Sequence, residues 1–166
     1  MRKTVGIAAG LIGAAAIVVV AASCGSDSTG PTGKTYVANM TAAGEKGGFT
    51  SAGSGVFTFV DIGSEIDWTL NLTNMTGVFA SHIHLGDENA VGTTAGPVII
   101  NLFLPNGTNS ATLTGEVAHG SITNANNVNI SLDSLRVLFN NGHAYANVHT
   151  TAHTGGEIRD QIHPAP

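Results

Sequence analysis

Ile66-Asp67-Trp68-Thr69-Leu70-Asn71-Leu72-Thr73 alternates large apolar residues with polar ones at a period of two. In an extended chain this places Ile66, Trp68, Leu70 and Leu72 on one face and the polar residues on the other, which predicts a half-buried β-strand. Residues 56–60 supply a partner across the turn Asp61-Ile62-Gly63-Ser64, and residues 78–85 follow Asn74-Met75-Thr76-Gly77. Further strands read over residues 97–104, 113–118, 144–149 and 157–162. Pro97 is acceptable at the first position of its strand, where no ladder donor is needed.

One segment departs from this rhythm. Leu132, Leu135, Leu138 and Phe139 recur at helical spacing, Ser131 or Asp133 can cap the start, and Asn141-Gly142 can stop the helix. The expected architecture is therefore all-β, with one short helix near residues 132–140. The short strands and Asn- and Gly-rich turns favour an antiparallel β-sandwich, immunoglobulin-like or superoxide-dismutase-like, with a closed barrel as the alternative.

The N-terminus reads as an export signal. Arg2 and Lys3 precede an uncharged stretch rich in Ala, Val and Ile over residues 5–22, and the small residues Ala21-Ala22-Ser23 lead into Cys24, the only cysteine. A sole cysteine has no partner for a disulfide within the chain, and after such a leader it reads as a lipid attachment point. The expected organisation is a lipoprotein signal peptide over residues 1–23, a flexible tether over residues 24–34 carrying lipidated Cys24, a β domain over residues 35–162 and a short tail over residues 163–166. Acyl chains on Cys24 would hold the protein to the lipid bilayer of a bacterial cell envelope. With Gly25 and no Asp beside the cysteine, the outer membrane or cell surface is favoured.

The formal net charge is −5, and it becomes −7 when Arg2 and Lys3 leave with the signal. No basic surface is left to neutralise phosphates, so nucleic acid is excluded as a partner. An envelope protein or a glycan fits better.

The chemistry-bearing residues fall into three groups. In Ser81-His82-Ile83-His84 the two imidazoles project from the same face of a strand and can ligate one metal, with copper or zinc suited to nitrogen donors. In residues 143–149, His143, Tyr145, Asn147 and His149 share a face, leaving Ala144, Ala146 and Val148 for the core. Such a polar face must be solvated or internally networked. His149 is the candidate third metal ligand beside His82 and His84. After the turn Gly155-Gly156, Glu157 and Arg159 share a face and form either a mutual pair or contacts to adjacent strands. The alternative reading of His82, His84, Tyr145, Asn147, His149, Glu157 and Arg159 is a structural polar cluster with each group satisfied by hydrogen bonds. No catalytic constellation is evident.

Together these stations resemble the CHRD domain, found repeated in the animal protein chordin and singly in many bacterial exported proteins. The resemblance rests on Ser81-His82-Ile83-His84, Gly96-Pro97-Val98, Gly142 with residues 145–150, and Gly155-Gly156-Glu157-Ile158-Arg159. Glu45-Lys46-Gly47-Gly48 and Asp160 depart from the usual pattern. The resemblance implies an extracellular interaction or structural module without an established common reaction. His82 and His84 are also similar to the copper-binding strand of copper/zinc superoxide dismutases, although the disulfide cysteines of those enzymes are missing. Two functions follow as expectations: a membrane-anchored, non-enzymatic extracytoplasmic module, or a copper- or zinc-binding protein or metalloenzyme using His82, His84 and His149.

Overall fold

The computed structural model describes residues 33–90, 96–103, 110–127 and 129–166. The predicted signal peptide and Cys24 lie outside the described residues. Among those residues no helix is long and apolar enough to cross a membrane.

Among the described residues, nine strands and one α-helix make up the fold: β1 (Lys34–Thr41), β2 (Ser54–Asp61), β3 (Ile66–Thr76), β4 (Val78–Leu85), β5 (Val98–Phe103), β6 (Thr112–Ile122), α1 (Leu132–Asn141), β7 (Ala144–Thr150), β8 (Ile158–Gln161) and β9 (His163–Pro164). A one-turn 3-10 helix, Ala42–Glu45, follows β1. The alternation over residues 66–73 has its predicted consequence: Ile66, Trp68, Leu70 and Leu72 are buried in the core. Phe57 and Phe59 of β2 pack with them, through a Phe57–Trp68 ring contact of 5.9 Å.

All pairings are antiparallel, and the strands run β5-β4-β7-β8-β1-β2-β3-β6 in one hydrogen-bonded sheet, with β9 also on β1. This corrects the expected division into two separate sheets of a sandwich: the sheet is continuous and curls into a nearly closed barrel. The physical reason lies at β8, which bonds β7 on one side and β1 on the other. The β1–β8 ladder is thin, with Thr41 opposite Arg159 as its backbone pair. Side chain and tail reinforce it, since Asp160 accepts from the Asn39 N–H at 2.8 Å and β9 pairs with Tyr36 and Val37. The edge strands β5 and β6 face each other across a groove lined by Ile100, Leu102, Gly120 and Ile122 among others.

Helix α1 forms where its spacing predicts. Ser131 accepts the Ser134 N–H, and Gly142 closes the end in the left-handed region at φ 66°. Its buried residues Leu132, Leu135 and Phe139 join the core, Phe139 meeting Tyr36 edge-on at 5.2 Å. Arg136 pins the helix to the β2–β3 turn through Asp61.

Candidate metal centre

The register of β4, β7 and β8 assembles the site. In β4–β7, Ala80 lies opposite His149, His82 opposite Asn147 and His84 opposite Tyr145. In β7–β8, Asn147 lies opposite Arg159 and Tyr145 opposite Gln161. Because side chains alternate along a strand, Ile83, Ala146, Val148 and Ile158 enter the apolar core while the polar residues gather on the opposite face. That face is also covered: every residue of β7 is buried, as is Arg159.

His82, His84 and His149 come together with one ligand-capable atom each, all within 4.8 Å of one another. His82 Nδ1 is 3.0 Å from His149 Nε2. Two nitrogens on one zinc or copper at about 2.0–2.1 Å lie roughly 2.9–3.4 Å apart, so this pair already has the spacing of two ligands on one ion. The wider separation in the set requires the rings to draw together on binding.

Two of the rings are oriented as metal-ligating histidines are. His84 Nδ1 donates to the Gly96 carbonyl at 2.9 Å, and His149 Nδ1 donates to the Thr154 carbonyl at 2.9 Å. These bonds fix the tautomer and leave each Nε2 as a lone pair; that of His149 accepts from His82 Nδ1, and that of His84 has no partner. Gly96 and Thr154 are thus the positioning groups of the site. Among the described residues, only Glu45 Oε1 and His84 Nε2 are buried side-chain polar atoms without a hydrogen-bond partner. A buried acceptor left in that state costs about 1–3 kcal/mol, which a bound cation would recover.

Electrostatics keeps the imidazoles unprotonated. Burial, reinforced by the neighbouring His149 and His84, pushes His82 down to about 4. Burial also lowers His84 and His149. Neutral imidazole is the ligating form, so the set needs no proton loss at neutral pH to bind.

Tyr145 and Arg159 wall the site. The Tyr145 ring is parallel to His84 within 4°, with centroids 4.8 Å apart. From the β8 side, Arg159 Cζ lies 3.5 Å from the Tyr145 centroid. Arg159 donates to the carbonyls of Asp87 and Ala90 and to Gln161, fastening the segment that follows β4.

The predicted Glu157–Arg159 pair resolves into contacts elsewhere. Glu157 accepts from Ser51 and Thr150, away from the guanidinium. His143 is exposed and lies outside the cluster. Ser81 turns from the histidines, as adjacency in a strand requires, and accepts the Phe103 N–H.

One participant escaped the sequence reading. Glu45, on the 3-10 turn after β1, comes to the edge of the site from far along the chain; burial raises its pKa against the lowering effects of Arg159 and Asn147. A Cβ on Gly156 would lie 2.2 Å from Glu45 Oε1, so the Gly155-Gly156 turn leaves the room that this carboxylate occupies. No local pattern around Glu45 signals this approach.

Residues 32–162 match the CHRD domain. No curated protein matches the chain.

Proposed function

This chain belongs to the CHRD domain family, and we propose that it is a non-enzymatic extracytoplasmic module that binds one copper or zinc ion through His82, His84 and His149. The observation that carries this reading is the convergence of three histidine donors within 4.8 Å, two of them held by backbone carbonyls. An isolated structural network would spend those lone pairs on donors. Here His84 Nε2 has none.

The N-terminal sequence supports a location for this module. Arg2, Lys3, the apolar residues 5–22 and Ala21-Ala22-Ser23-Cys24 favour a bacterial lipoprotein, with signal 1–23 removed and the domain tethered through acylated Cys24. The module then stands at the outer membrane or cell surface, in reach of an envelope protein or glycan. A Cys24→Ser variant is expected to leave the membrane fraction; retention there would count against the anchor.

Metal content tests the central claim. The full chain, purified without an affinity tag, is expected to carry or take up one copper or zinc per molecule. His82→Ala, His84→Ala and His149→Ala should each lose it. Substoichiometric metal that survives all three substitutions would sink the reading.

A further inference from the structure

We propose that Asn147 supplies a fourth donor, its side-chain oxygen, to the metal held by the three histidines. This inference rests on the three-histidine reading and goes beyond it.

The placement is direct. Asn147 Oδ1 lies 3.1 Å from His149 Nε2, nearly the same distance as His82 Nδ1 on the same nitrogen, 3.0 Å. Atoms bound to one ion at about 2.0–2.2 Å stand at such separations. Asn147 is 2% exposed and sits between the His82 and Arg159 positions in the register.

The orientation of the amide argues further. With its oxygen 3.1 Å from His149 Nε2, the amide presents an acceptor to the imidazoles. Yet His149 Nδ1 spends its proton on Thr154, and His84 Nδ1 spends its own on Gly96. Asn147 Oδ1, His149 Nε2 and His84 Nε2 therefore converge as lone pairs, and the one proton within reach is that of His82 Nδ1. A cation at the convergence satisfies every group at once, with the His82 ring carrying its proton on Nε2 instead.

Three imidazoles and an amide oxygen make a nitrogen-rich set with one hard donor. That composition suits zinc or copper(II) over copper(I), which prefers sulfur.

Cobalt(II), a spectroscopic substitute for zinc, reads the donor set directly. The full chain, stripped of metal, is titrated with cobalt(II) and then with zinc. Wild-type protein is expected to give the intense visible bands of four-coordinate cobalt. Asn147→Leu should shift and weaken those bands and lower zinc affinity by about 10–100-fold, while Asn147→Asp, which keeps an oxygen donor, restores them. Identical spectra and affinity in wild type and Asn147→Leu would overturn the fourth donor and leave the three-histidine centre standing. Failure of wild type to bind either ion would overturn both. Should Asn147→Leu fail to fold, wild-type protein labelled with nitrogen-15 decides: the Asn147 side-chain amide signals must move in step with zinc occupancy, and signals that stay fixed overturn the proposal.

Discussion

Ala144, Ala146 and Val148 on one face of β7 and Tyr145, Asn147 and His149 on the other are all at most 8% exposed, yet different forces hold them. The first three sit among Ile83, Ile158 and other core side chains, where burial of apolar area is favourable without regard to direction. The second three are stable in the dry only through specific partners: Thr154 for the His149 ring, Arg159 for Tyr145, His149 for Asn147. Directional partnership can be left incomplete in a way that apolar packing cannot. His84 Nε2 and Glu45 Oε1 are where it is incomplete, and that is the side of the strand on which a ligand has something to gain.

The largest effect should come from the apolar face. Ile83 is fully buried, and Ile83→Ala should cost about 2–5 kcal/mol through lost transfer energy and the cavity left behind. Urea unfolding measures it; a loss below about 1 kcal/mol would mean that this face is less tightly packed than the contacts indicate.

On the polar face the sign should differ. His84→Leu removes the orphaned Nε2 together with the Nδ1 bond to Gly96; relief of the one offsets loss of the other, so the metal-free protein should stay within about 1 kcal/mol of wild type. The same change should abolish the ligand effect. Zinc at a hundred times its dissociation constant should stabilise wild type by about 2.7 kcal/mol and leave His84→Leu unmoved. Thermal unfolding with and without zinc separates the two, and equal shifts in both proteins would refute a role for His84.

Acid gives a third, smaller separation. His82 titrates at about 4 in the fold against 6.5 when unperturbed, and His84 and His149 are shifted the same way. Between those values the unfolded chain binds protons that the folded chain refuses, so stability falls as pH drops from about 6.5 toward about 4. The His contribution is constant above that window. Urea midpoints of the metal-free protein across this range should follow that slope, and His82→Leu should flatten it.

The smallest change belongs to the surface. Asp133 pairs with Arg136 at 2.7 Å but its side chain is 93% exposed. Asp133→Ala should alter stability by no more than about 0.5 kcal/mol, and a larger loss would show that Arg136 needs both carboxylates to hold α1 against Asp61.

Local pattern made much of this legible. The period of two over residues 66–73 and the capped helix after Ser131 are both present, because each depends on neighbours within a few residues. His82 and His84 share a face for the same reason, and so do Tyr145, Asn147 and His149. The pairing of Glu157 with Arg159 was open in the sequence, and the fold sends each to other elements. Glu45 had no such legibility, since its approach to Asn147 depends on where β1 ends relative to β7.

The sequence by itself determined the strands, the helix, the two-faced character of β7 and the nitrogen donors, since backbone geometry fixes which side chains share a face. Tertiary structure alone decided that β8 would bond both neighbours and make one curled sheet, and that the register would set His149 beside His82. It also decided that a carboxylate about a hundred residues away would come up against the Gly155-Gly156 turn. Those outcomes depend on pairings between distant segments, whose energies come from complementary surfaces that no single stretch of chain contains.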